Sequence, residues 1–177
     1  MSTAGGILRR ADDTGVPLLI ARLLFGAVMI SFAVPKIADP LEFLKEIRNY
    51  HIMPEEPAIV MNMVAVSLPW VELLGSVALI LGVFRRGTAA LFTALMIVFS
   101  AALLYRAWGI YAAGDIAFCD IKFDCGCGHG VVFICRKVLE NAGLALLAFY
   151  VMISRSARLS LASLWNRRRE AVGVPAS

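Results

Sequence analysis

The sequence predicts an all-α integral membrane protein: a bundle of four spanning helices, both termini cytoplasmic, with a short periplasmic amphipathic helix between spans one and two. Three observations point there. Of 177 residues, 60% are hydrophobic and 17% charged, with a mean hydropathy of +0.78, whereas a soluble domain is about 45–50% apolar and about 25% charged. The apolar residues gather into four long runs, and the arginines gather beside alternate ends of those runs.

A hydrocarbon core of about 30 Å takes roughly 20 helical residues to cross. The runs at 16–34, 57–84, 87–108 and 131–153 are of that order. The second is over-long, which suits tilt or an interfacial start. The third is the cleanest, with "TAALFTALMIVFSAALLY" free of charge. No strand signal competes, and an open sheet in lipid would leave backbone groups unsatisfied. The length suits one domain over 1–177, with a loop at 109–130 and a basic tail at 154–177. A secretory signal is the competing reading of the first run, but Arg22 inside it and Lys36 close behind argue against cleavage.

Lysine and arginine favour the cytoplasmic side. Arg9 and Arg10 precede the first run, Arg85 and Arg86 fill the turn between runs two and three, and Arg155, Arg158 and Arg167 to Arg169 follow run four. The alternate loops mix acid and base: Asp39, Glu42, Lys45, Glu46 and Arg48 in one, Asp115, Asp120, Lys122 and Asp124 in the other. These loops are therefore expected outside, in the periplasm of a bacterial cell whose inner membrane the chain crosses several times. The net charge of +4 reflects this anchoring and calls for no nucleic acid.

"DPLEFLKEIRNYHIMP" follows span one. Asp39 can cap, Pro40 suits a first helical position, and Leu41, Phe43, Leu44, Ile47 and Tyr50 roughly share a face, as a surface helix requires. It either covers the bundle or docks a periplasmic partner. The tail around Trp165 and its arginines suits an anionic lipid surface.

Ionisable groups deep in a span are costly and normally paired. Counted inward from the outer ends of their runs, Arg22 and Glu72 both lie about 20 Å deep at 1.5 Å per residue, so they are expected to meet. Their pairing would fix the register of the bundle, or offer a partner to a proton or a quinone oxygen. Arg136, Lys137, Glu140 and Asn141 open the fourth run. Arg136 and Glu140, one turn apart, can pair, and the group either snorkels or lines a polar cavity.

All four cysteines fall within "CDIKFDCGCGHGVVFIC". Gly126, Gly128 and Gly130 free the backbone around Cys125 and Cys127. A bond between those two would close a very small ring, and strained or exposed disulfides exchange readily. Cys119 is a second partner able to resolve a mixed disulfide, and Cys135 a relay towards the membrane. The helix dipole, His129 and Lys122 favour thiolates, and Asp124 opposes them. A structural disulfide, Cys119 to Cys127 for example, and a metal site from Cys119, Cys125, Cys127 and His129 compete with this reading. Cys-x-Cys is a poor zinc bite, so redox cysteines and no metal are expected.

The chain resembles the MauE/DoxX family of four-span membrane proteins through "ARLLFGAVMISFAVPKIADPLEF", "YHIMP", "LPWVELLGSVALILGVFRR", the "CGCG" loop and "RKVLENAGLALL". The Cys-x-Cys points to the MauE branch, whose usual Cys-Gly-Cys-Phe-Gly is altered here by Gly128 and His129. The resemblance implies a periplasm-facing accessory of redox-protein maturation in methylamine utilisation, linked to methylamine dehydrogenase with its disulfide-rich small subunit. It implies a thioredoxin-like partner or client redox enzyme and, through DoxX-like relatives, a membrane quinone. Cys125, Cys127 and Cys119 are then the expected exchange residues, and Arg22, Glu72 and Arg136 the expected quinone-side residues. A non-catalytic assembly factor, or a membrane subunit of a quinone-linked oxidoreductase complex, is the alternative.

Overall fold

The computed structural model describes residues 15–50, 58–114, 116–124 and 131–154. The described residues hold five α-helices: α1 Val16–Ala38, α2 Pro40–Asn49, α3 Ala58–Leu81, α4 Arg85–Ala113 and α5 Ile134–Ile153. Three of them, α1, α3 and α4, are long and apolar enough to cross a membrane. The arginine-rich tail and the segment holding Cys125, Cys127 and His129 lie outside the described residues.

α1 opens with Pro17 in its first turn, where a missing N–H costs nothing. It does not stop before Pro35. The helix runs a further turn, and Asp39 N–H closes it on Pro35 O at 3.0 Å. That turn carries Lys36 onto the buried stripe of Leu18, Arg22, Phe25, Met29 and Ala33, which follows the helical period. Asp39 then caps α2, accepting a hydrogen bond from Glu42 N–H at 3.0 Å, with Pro40 at the first position. α2 buries Phe43 and Ile47 against Met61 and Ala65 of α3. On its exposed face Glu42 accepts from Lys45 at 2.9 Å, which holds the Lys45 ammonium above its ordinary pKa.

α3 ends in a Schellman turn: Val83 N–H reaches Ala78 O at 3.0 Å and Gly82 N–H reaches Leu79 O at 3.1 Å. Gly82 takes the left-handed φ of 76° that the motif needs. α4 then returns and packs along α5 over most of its length. At the same end Arg85 Nη2 donates to Ser154 O at 2.9 Å, which ties the C-terminus of α5 to the start of α4.

The core is apolar where α1, α3, α4 and α5 converge. Phe25 and Phe92 meet edge to face, 5.0 Å between centroids, among Met29, Leu79, Ala89 and Val151. Gly26 sets the approach of α1 to α3. A Cβ there would lie 2.5 Å from Ile80 Cγ1 and 3.3 Å from the Ser76 carbonyl oxygen. Gly26→Leu is therefore expected to force the helices apart and cost about 1–3 kcal/mol, read as a lowered melting temperature of the purified protein.

The absence of strands expected from sequence is corrected. Lys122–Asp124 (β1) and Val131–Phe133 (β2) form a small antiparallel pair, Lys122 opposite Phe133 and Asp124 opposite Val131. Val131, Val132 and Phe133 are residue types that suit a pleated surface, so α5 starts only at Ile134.

Candidate functional site

The site is built where the buried stripes of α1 and α5 carry lysines instead of aliphatic residues. On α5, Ile134, Lys137, Asn141, Ala148 and Val151 share the buried face, while Arg136 and Glu140 fall on the outer one. Arg136 is exposed and pairs with Glu140 at 3.1 Å. Lys137 turns inward, its Nζ 4.6 Å from the centroid of the Phe32 ring and 3.5 Å from Glu140 Oε2.

Lys36 is the partner of Glu72. Its ammonium donates to both carboxylate oxygens, at 2.9 and 3.2 Å, with Glu72 fully buried and Lys36 only 7% exposed. Phe43 and Phe99 present ring faces to the same ammonium, 4.9 and 5.7 Å to their centroids. These rings replace part of the lost hydration of the cation.

The expected meeting of Arg22 and Glu72 is corrected. Arg22 Nε donates to Leu79 O at 2.8 Å and its Nη2 to Ile80 O at 2.5 Å. The depth count took the outer ends of the two runs as level. The Gly26 contact instead slides α1 along α3, so that Glu72 lies about two turns, roughly 10 Å, from the carbonyls Arg22 holds. Arg22 therefore closes the C-terminal end of α3, where carbonyls lack helical partners and a cation is favoured.

Between the helices lies a cavity of about 270 Å³ whose polar residues are Lys36, Tyr50, Glu72, Lys137 and Asn141. Of the three residues expected on the quinone side, only Glu72 lines it; Arg22 and Arg136 do not. Lys137 and Asn141 were legible as members of the polar cluster opening the fourth run. Lys36 was hidden by the proline before it, which suggested that the helix had ended.

Above the cavity, Cys119 on the 3₁₀ turn Phe118–Asp120 is joined to Cys135 in the first turn of α5, Cα atoms 5.1 Å apart. Cys119 is exposed and Cys135 half-buried. Ile121, 2% exposed, anchors the loop among Leu103, Ala107 and Ile134, and its carbonyl accepts from Ile134 N–H at 3.1 Å. Cys135 packs on this cluster together with Tyr50. Tyr50 and Leu103 also line the cavity, so disulfide and cavity share a wall. The structure thus gives Cys119 a partner in Cys135. The segment 125–130 leaves from Asp124 and returns at Val131, which pair across β1 and β2.

A family model described as methylamine utilisation protein MauE matches residues 14–154. The chain belongs to the MauE family. Among curated MauE proteins, that of Methylorubrum extorquens is 36% identical over 125 residues, covering 69% of this chain and 61% of the relative. That of Methylophilus methylotrophus is 28% identical over 137 residues, covering 75% of this chain and 66% of the relative. The chain thus spans just under two thirds of the length of either MauE relative. No solved structure matches it. The match to MauE encloses every feature above: the Lys36–Glu72 pair, the cavity and the Cys119–Cys135 bond. With its apolar helices, this MauE-family chain is a multi-pass membrane protein of a family involved in methylamine utilisation.

Proposed function

We propose that the protein is a membrane-embedded thiol–disulfide redox protein of methylamine utilisation, serving the maturation of periplasmic redox enzymes through a thioredoxin-like partner. The observation that carries this reading is the Cys119–Cys135 disulfide, with Cys119 an exposed residue and Cys135 seated at a helix start. A partner's thiolate attacks Cys119, the more exposed of the two residues, and the S–S bond breaks. Cys135 leaves as a thiolate at the N-terminus of α5, where the helix dipole favours negative charge. The partner's second thiol then resolves the mixed disulfide. The partner ends as a disulfide, and Cys119 and Cys135 end as a dithiol.

Four spans, with both termini cytoplasmic in a bacterial inner membrane, are part of the same proposal. α5 has 20 residues, about 30 Å at 1.5 Å each, and its charged residues sit in its first two turns. The arginines that hold the C-terminal ends of α3 and α5, Arg22 and Arg85, lie at the end of the bundle rich in positive charge.

A second reading, a non-catalytic assembly factor, is favoured by the way the same bond ties the loop to α5. A bond enclosing about 15 residues stabilises by roughly 3 kcal/mol. One experiment separates the two. Native membranes are treated with a membrane-impermeant maleimide, with and without a reduced thioredoxin-like dithiol, and adducts are mapped by mass spectrometry. Cys119 and Cys135 are expected to become labelled only after the dithiol treatment, and Cys135→Ser to lose more than 90% of partner oxidation. Full partner oxidation by Cys135→Ser, or a bond that resists the dithiol until the protein is denatured, would overturn the redox reading.

A further inference from the structure

We propose that the cavity between the helices is a site for an anionic membrane amphiphile: it takes a carboxylate or phosphate head borne on an apolar chain and holds that head between Lys36 and Lys137. The inference goes beyond the thiol chemistry above and does not depend on it.

The wall carries more donors than acceptors. Lys36 is 7% exposed and Lys137 4%, and both line the cavity, where Glu72 is the one lining carboxylate among the described residues. Glu46, buried on α2, does not line it. Both oxygens of Glu72 are engaged by Lys36. Those two contacts occupy at most two of the three N–H groups of the ammonium. Lys137 shares its carboxylate with a neighbour. Glu140 gives Oε1 to Arg136 at 3.1 Å and leaves Oε2 3.5 Å from Lys137. In these ion pairs three cations face two carboxylates. A buried charge is costly unless it is balanced, and one further anion in the cavity balances the set. Asn141, buried on the same wall, adds an amide NH₂ that can donate to an anionic oxygen.

The same charges exclude a cationic ligand, which would meet two buried ammonium groups and a carboxylate already engaged. The rest of the wall excludes a small hydrated ion. It is apolar and aromatic, with Phe32, Phe43 and Phe99 prominent, and burying an ion there without an attached chain brings no apolar surface out of water. Val98 of α4 lines the cavity and is 60% exposed, and Val64 and Leu68 of α3 line it too. The cavity thus reaches the lipid-facing surface of the bundle. The amphiphile enters from the bilayer and leaves the end of its chain there. A volume of about 270 Å³, near the small end of ligand pockets at about 300 Å³, suits a head and the first part of a chain rather than a whole lipid.

The test uses the full chain in nanodiscs of phosphatidylcholine, with tritiated dodecanoate as the probe and empty nanodiscs as the partition baseline. Wild-type protein is expected to bind a single dodecanoate above that baseline. It is expected to bind dodecanol, the same chain with a neutral head, about tenfold more weakly, the loss of a hydrogen-bonded charge. Lys137→Met keeps the chain and removes the charge, and is expected to weaken dodecanoate binding by about tenfold. Its melting temperature is expected to stay near that of wild type, because Glu140 keeps Arg136. Ala102→Phe, which fills the cavity from α4, is expected to abolish binding. Equal binding of dodecanoate and dodecanol, or wild-type affinity in Lys137→Met or in Ala102→Phe, would sink the assignment. Nanodiscs containing phosphatidylglycerol identify the source of the head. Displacement of dodecanoate by that lipid upholds the site with a lipid phosphate in it, and retention of dodecanoate upholds it with a free fatty acid.

Discussion

Glu72→Leu is expected to cost the protein about 3–5 kcal/mol of stability, the largest effect of any substitution considered. The cause is the cation it abandons. Lys36 is 7% exposed, and without the carboxylate its ammonium keeps only the faces of Phe43 and Phe99. Breaking a buried pair at one member leaves an uncompensated charge, whereas replacing both members by apolar residues is often neutral or stabilising. The double variant Lys36→Met/Glu72→Leu is therefore expected to return to within about 1 kcal/mol of wild type. Thermal unfolding of the four proteins of this cycle in detergent measures the coupling. A single variant that loses less than 1 kcal/mol would mean that the pair is not closed in solution. Because Arg22 lies elsewhere, Arg22→Met and Glu72→Leu are expected to add without coupling.

Arg22→Met is the second large loss, expected at about 2–4 kcal/mol. Hydrogen bonds to a charged group contribute roughly 1.5–3 kcal/mol each, and Arg22 makes two, to the carbonyls of Leu79 and Ile80. Methionine fills the volume and supplies no donor. Part of the loss is offset because the guanidinium, 2% exposed, no longer has to be desolvated. Arg22→Lys is expected to recover less than half of it. A compact ammonium cannot span two adjacent carbonyls with the planar fork that guanidinium offers. The unfolding temperatures of the two variants, compared with wild type, test this. Equal stability of Arg22→Lys and wild type would show that charge alone matters at this helix end.

What could be foreseen divides along a physical line. The helices were legible because burial in lipid imposes long apolar runs, and Asp39 with Pro40 announced α2 because capping is local. The Arg136–Glu140 pair was legible for the same reason, being one turn apart on one helix. The contacts between helices were not. Which residue of α1 meets Glu72 depends on the slide and roll of two cylinders. That slide is fixed by the close approach at Gly26, which no period in either run encodes. Lys36 was overlooked because Pro35 normally marks an end. The Cys119–Cys135 bond was illegible because it needs the small β1–β2 pair to bring the 3₁₀ turn back to α5. Asn141 was visible as polar, but its place on the cavity wall is a property of the packed bundle.

The two cations of α1 have a mechanical consequence. Lys36 grips α3 at Glu72, and Arg22 grips it at Leu79 and Ile80. One attachment leaves a rod free to slide or to roll. Two attachments, about four turns apart on α1 and about two on α3, remove both freedoms. α1 and α3 therefore behave as one beam. α4 and α5, packed along each other and tied at Arg85 and Ser154, form a second. The cavity takes its walls from both beams and lies along the seam between them. Parting of that seam, with each helix kept straight, is thus the motion that would change the cavity's width.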